Sequence, residues 1–232
     1  MRKNIELVNK LVQSCHILSM EGHNDIILGH VSARIPESES ALIKSSGKAL
    51  WEVTPDDVIA IDFEGTIIDG NKKCHKEYPI HTEVYRLRDE INCVIHTHPF
   101  YSTIISAAGI SIKPVSNEGT IFLDTPIFTD TTELIQTSEQ GVAVAKKMGN
   151  NYALLLQNHG IVVAGRTIEE ATIFAVRLEK AARAQYFIEA LGSYNYTNED
   201  ECKRKIEQTY DHKQIQNFWD YYLRKLNTGR FT

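Results

Sequence analysis

The sequence predicts an α/β fold: one domain built on a mixed, mostly antiparallel sheet with helices packed against it. Three observations carry this expectation. Residues 4–21 repeat apolar side chains at intervals of three and four, the period of an amphipathic helix, and a capping-box pattern opens a long helix over 168–191 that Gly192 stops. Between and after them stand short β-branched runs separated by turn residues, too close together for every pair to be joined by a crossover helix, so part of the sheet is antiparallel. The 232 residues, 42% of them hydrophobic, suffice for one large core, and no repeat, low-complexity tract or linker divides residues 1–232 into smaller units.

In chain order, the first helix carries Leu7, Val8, Leu11, Val12, Cys15 and Leu18 and closes at Gly22. A polar turn, Gly22-His23-Asn24-Asp25, precedes extended pieces at 29–35, 41–44 and 58–62, and Phe63-Glu64-Gly65-Thr66 is a hairpin-like turn into Ile67-Ile68. A helix is expected over 76–88, with Pro79 near its first turn and Arg86 and Arg88 at its negative end. The strand ending at Pro99 follows, then a helix from Phe100 to Ala108, a loop and short strand within 110–130, and a helix from about Thr132 to Met148. Thr167-Ile168-Glu169-Glu170 is a capping-box pattern opening a helix that runs to Leu191, and Thr197-Asn198-Glu199-Asp200 opens a last helical segment with an aromatic end.

Composition narrows the function. A formal net charge of −5 without a basic run offers no footprint for nucleic acid. The apolar stretches fall short of the ~20 residues that span a bilayer. Met1-Arg2-Lys3-Asn4-Ile5-Glu6-Leu7 lacks the continuous apolar region of a signal peptide, so a cytoplasmic protein is expected. Cys15, Cys74, Cys93 and Cys202 have no metal or redox spacing and are read as reduced thiols, with Cys74 a small filler near a candidate site.

The chemistry concentrates in Cys93-Val94-Ile95-His96-Thr97-His98-Pro99. Strand residues two apart share a face, so both imidazoles enter one pocket, and Pro99 stops the strand there. A catalytic zinc-type ion takes three protein ligands and keeps a position open. His159, between two apolar runs in Leu156-Gln157-Asn158-His159-Gly160-Ile161, is a candidate for the third. Glu77 at the expected helix start, where free amides favour a carboxylate, is the candidate base; the alternative is a helix-terminal charge without chemistry.

Taken in order, Gly29-His30-Val31-Ser32-Ala33-Arg34, Ser45-Ser46-Gly47, Thr54-Pro55-Asp56-Asp57, Glu77, Val94-Ile95-His96-Thr97-His98-Pro99 and Asn158-His159-Gly160 with Gly165 and Glu169-Glu170-Ala171 resemble the class II aldolase/adducin family over about residues 5–190. The resemblance implies a three-layer αβα domain with helices on both faces of the sheet and a divalent cation, zinc or alternatively manganese, cobalt or iron, on His96, His98, His159 and Glu77. It implies a homotetramer with sites between subunits, where Tyr221 or Tyr222 completes a neighbour's site. Glu118 lies near the family's substrate-side acid. The family includes sugar-phosphate aldolases, 4-epimerases, dehydratases, decarboxylases of hydroxy-aromatic acids and the non-enzymatic adducin head. Epimerases resemble this pattern but carry aspartate at the position of Glu77, and adducin lacks the full ligand set, so the four residues together favour an enzyme.

The departures bear on the substrate. Where sugar-phosphate members have a Gly-Asn pair, a Thr/Ser-Gly turn and a Ser-Ser pair around the phosphate, this chain has Gly29-His30, Ser46-Gly47 and His75-Lys76. Larger cationic or imidazole groups would suit a planar carboxylate. The Gly-His-Val-Ser stretch also looks like decarboxylase-type members. The expectation is a metal-dependent carbon–carbon lyase for a small hydroxy or oxo acid or a sugar-derived substrate, in which Glu77 moves a proton, aided if burial raises its pKa. The alternatives are an epimerase or dehydratase of the family, or an adducin-like assembly module.

Overall fold

In the computed structural model, which describes residues 4–228, helix α1 (Ile5–Met20) leads into four strands joined by turns: β1 (His30–Arg34), β2 (Ser40–Lys44), β3 (Val58–Asp62) and β4 (Ile67–Asp69). Then come α2 (Pro79–Leu87), β5 (Cys93–Thr97), α3 (Phe100–Ala107), the short strand β6 (Ile127–Phe128), α4 (Ser138–Met148), β7 (Ala153–Leu156), β8 (Gly160–Gly165), α5 (Ile168–Glu189), α6 (Glu199–Thr209) and α7 (His212–Thr228). The outer limits of the expected 1–232 domain, and Met1–Lys3 on which the signal-peptide argument partly rests, lie outside the described residues. No described helix is long and apolar enough to cross a membrane.

The strands form one sheet in the order β4-β3-β2-β1-β5-β8-β7-β6, antiparallel throughout except for the β6–β7 pair. Alternation along the central strands feeds two cores. Val31, Ala33, Cys93, Ile95, Ile161 and Val163 pack beneath α1, α3, α5 and α7, whereas Val94, Val162, Ala164, Leu154 and Leu156 pack against Ile80, Val84 and Tyr85 of α2 and Val144 and Met148 of α4. Helices therefore cover both faces, and the fold class is the expected one. Each fully buried Val, Leu or Ile contributes roughly 1.5–3 kcal/mol of transfer free energy, so the central strands β5 and β8, apolar on both faces, anchor the fold.

Three helix boundaries differ from the expected ones. Helix α2 starts at Pro79, not 76, leaving Glu77 ahead of its first turn. Helix α4 starts at Ser138, not 132, because the Thr137 hydroxyl accepts from the Gln140 amide while Gln140 Oε1 accepts from Thr137 N–H. The last helical segment breaks at Tyr210–Asp211 into α6 and α7. In the 110–130 stretch the short strand is present, preceded by a 3-10 turn at Glu118–Phe122. Only half of the capping box at α5 forms: Thr167 accepts from Glu170 N–H, but the Glu170 carboxylate turns back to Arg166.

Candidate metal centre

His96 lies near the carboxyl end of β5, opposite His30 of β1 on one side and Val162 of β8 on the other. The strand ends at Thr97, so His98, on the same face as His96, stands one residue beyond the ladder. His159 occupies the β7–β8 turn, where Asn158 takes a left-handed φ of 57°. Gly160 beside it is obligatory: a Cβ there would meet the Thr97 carbonyl at 2.4 Å and His98 Cδ2 at 2.6 Å. Glu77 enters from the segment before α2.

The ligand atoms of Glu77, His96, His98 and His159 all lie within 4.8 Å of one another. His96 Nδ1–H donates to the Ile161 carbonyl at 2.9 Å, and His98 Nδ1–H donates to Asp25 Oδ2 at 2.6 Å. A carbonyl or carboxylate can only accept, so both rings turn a lone pair on Nε2 inward, and these two atoms are 3.0 Å apart. His159 Nε2, 3.6 Å from Glu77 Oε1, is buried with no hydrogen-bond partner. One shared proton would relieve the first pair and leave His159 orphaned. A divalent cation satisfies all three nitrogens and the carboxylate, so the donor set fits such an ion.

The electrostatics agree. Burial, then the neighbouring His96, push the His159 imidazole down to about 4, and the same causes lower His98 against the opposing pull of Asp25; neutral imidazole is the ligating form. Glu77 departs from expectation in two ways. Burial does push its carboxyl up, but His96, the Ile135 amide and His159 outweigh it and hold the group at about 2. The amide on Glu77 Oε1, at 2.9 Å, belongs to Ile135 in the non-helical stretch before α4 rather than to α2. Glu77 is thus an ionised carboxylate, not a proton-loaded acid.

The remaining expected site residues divide. Gly29, at φ 78°, lets the chain pass close to Thr97, where a Cβ would come within 3.3 Å of Cγ2. His30 is buried beside His96, with ring centroids 5.0 Å apart, and His75 packs on His30 at 4.4 Å. Both imidazoles are held neutral. Burial first, then neighbouring positive groups, push His30 well below its usual value and His75 to about 3. The nearby charge-bearing side chain is Lys44, fully buried on β2, whose Nζ donates to His75 Nε2 at 3.3 Å and to the Ser45 carbonyl at 3.2 Å. Ser46 donates to the Lys73 carbonyl, Gly47 is an open turn at φ 89°, and Lys76 is exposed. Glu118 pairs loosely with Arg177 at 3.8 Å. Tyr222 is buried in the core of its own chain, its hydroxyl accepting from Lys180 Nζ at 3.0 Å, while Tyr221 is 52% exposed. All four cysteines are free; burial pushes the Cys74 thiol up to about 11, consistent with a filler.

Three contacting side chains escaped the sequence reading. Lys44 closes an apolar strand run, Ala41-Leu42-Ile43, and a lysine in such a run signals a buried cation. His81, four residues after Glu77, bonds His30 Nδ1 at 2.6 Å. Asp25 sits in a polar turn and carried no sequence signal of its own.

A two-faced α/β sheet thus gathers three imidazoles and a carboxylate at the edge of its central strands, an arrangement that could hold a metal ion. The pattern of the class II aldolase and adducin N-terminal domain matches residues 9–186, and the chain belongs to that family. It is 29% identical over 175 residues to a 5-deoxy-D-ribulose 1-phosphate aldolase of Bacillus thuringiensis, covering 75% of this chain and 82% of the relative. It is 28% identical over 183 residues to a 3,4-dihydroxyphthalate decarboxylase of Arthrobacter keyseri, covering 73% of each. An L-fuculose 1-phosphate aldolase structure from Glaciozyma antarctica superposes with a TM-score of 0.86 over 97% of this chain and 90% of that one, at 22% identity, which establishes the shared fold.

Proposed function

We propose that the chain is a divalent-metal-dependent carbon–carbon lyase, with His96, His98, His159 and Glu77 as the ligand set, zinc as the first candidate ion and manganese, cobalt or iron as alternatives. The observation that carries this reading is the inward convergence of the three Nε2 atoms, one of them buried and partnerless. A bound ion supplies a Lewis acid for the negative charge that builds on a substrate oxygen as the carbon–carbon bond breaks. His96 and His98, each fixed through Nδ1, hold their rings without reorganisation. Glu77, ionised and hydrogen-bonded to Ile135, takes and returns the proton at the reacting carbon or its hydroxyl.

A small hydroxy or oxo acid is the preferred substrate over a sugar phosphate. Bulky neutral His30 and His75 stand where small hydroxyls wrap a phosphate in the sugar-phosphate members of the family, and Lys44 behind them supports a compact carboxylate. Gly29, Ser46, Gly47, Lys76 and Glu118 complete the proposed substrate side. A homotetramer in the cytoplasm with sites between subunits remains part of the proposal. Tyr221, exposed on α7, is then the better placed of the two tyrosines to reach a neighbour.

The test is elemental analysis of the purified protein, followed by incubation of candidate hydroxy acids and sugar phosphates while carbon dioxide and aldehyde are both assayed. Product that disappears on chelation and returns with metal is the expected result. Turnover at full rate in metal-free protein overturns the scheme, and protein that takes up no metal points to an adducin-like assembly module.

A further inference from the structure

We infer that Asp25 is a positioning residue of the metal centre, its carboxylate holding the His98 ring with Nε2 turned toward the ion. The inference rests on the metal reading above and extends it beyond the ligands.

His96 and His98 are unequal. His96 belongs to a strand paired on both sides, by His30 and by Val162, so its backbone is immobilised before its side chain is considered. His98 lies past the last strand residue and lacks that support. Its ring orientation depends on what Nδ1 meets. His96 Nδ1–H finds a backbone carbonyl at 2.9 Å, but His98 Nδ1–H finds the Asp25 carboxylate at 2.6 Å. A charged acceptor bonds more strongly than a carbonyl and makes the opposite nitrogen a better donor to a cation.

The segment leading into Asp25 is tethered at several points. The Glu21 carboxylate accepts from Lys180 at 2.9 Å and from Lys225 at 2.7 Å, joining the loop to α5 and α7. His23 Nδ1 bonds Thr97 Oγ1 at 2.9 Å from the opposite face of β5, and Ser19 and Asn24 exchange hydrogen bonds of 2.6 and 2.8 Å. The loop therefore grips the His96-Thr97-His98 stretch from both sides of the sheet. Two residues beyond the last of these tethers, Ile26 takes a φ of 47°, in the left-handed region that a β-branched residue avoids at a cost of about 1–3 kcal/mol. Its side chain is 82% exposed, so burial does not offset the strain. The strained residue directly follows the one that meets His98.

The experiment measures zinc and cobalt affinity by competition with a chromophoric chelator for the wild type, Asp25→Asn and Asp25→Ala, together with the melting temperature of each metal-free protein. Asp25→Ala is expected to weaken binding about 10–100-fold and to alter the visible spectrum of the cobalt form, with Asp25→Asn between it and the wild type. Metal-free melting temperatures should stay together, which separates positioning from folding. If Asp25→Ala fails to fold, the near-isosteric Asp25→Asn carries the test. Wild-type protein that binds neither metal overturns the metal reading and this inference with it. Wild-type binding matched within about twofold by both variants overturns this inference alone.

Discussion

Two groups of histidines lie side by side on the sheet and use their nitrogens in opposite ways. In the His30–His81 group every bonded nitrogen faces a protein partner: His30 Nδ1 meets His81 Nε2 at 2.6 Å, His81 Nδ1 meets Ser32 Oγ at 2.6 Å, and Ser32 Oγ meets the Tyr85 hydroxyl at 2.6 Å. In the His96–His98–His159 group the outward nitrogens of His96 and His98 are tied to a carbonyl and a carboxylate, and the inward ones face each other. The groups touch, with the His30 and His96 rings 5.0 Å apart, yet one is a closed polar network and the other an open donor set. What one ring nitrogen bonds decides what the other can do.

That contrast can be broken by substitution. The largest effect is expected in the open group, where Glu77→Gln should keep bound metal, read by elemental analysis, while turnover falls about 10²–10⁴-fold. His96→Ala should lose both metal and turnover. In the closed group, His81→Leu strips His30 Nδ1 of its partner and Ser32 Oγ of one of its partners in the core. A loss of about 3 kcal/mol in urea unfolding is expected, with zinc affinity unchanged. Equal effects on zinc binding from His81→Leu and His96→Ala would erase the distinction.

The smallest effect concerns His23, fully buried and belonging to neither group. Burial holds it at about 4, below the 6.5 of an ordinary imidazole. The unfolded chain therefore binds the extra proton between those values, and stability is complete above pH 6.5 and falls as acid is added. Between pH 7 and pH 5 the His23 share amounts to about 2 kcal/mol. Urea midpoints across that range should fall less steeply in His23→Gln.

Much was legible in the sequence because it depends on short-range rules. Alternation placed His96 and His98 on one face, Pro99 marked the end of their strand, a three- and four-residue period located α1, and a capping-box pattern marked the start of α5. Order along the chain joined His159 and Glu77 to them. Helix starts were less legible, since the amides of Ile135, Gln136 and Thr137 are claimed by Glu77 and by the Gln140 cap rather than by a helix, and no local pattern announces that competition.

The identities and order of the candidate ligands were thus determined by the sequence alone, through the period of strand side chains and the turn residues beside them. Their protonation, and the partners behind them, were decided only by tertiary structure. Desolvation holds His30 and His75 as neutral rings, and folding buries Lys44 beside them. Folding also carried Asp25 across 73 positions to His98 and Ile135 across 58 to Glu77. Charge state and hydrogen-bond partnership depend on everything within a few ångströms, and those neighbours come from distant parts of the chain.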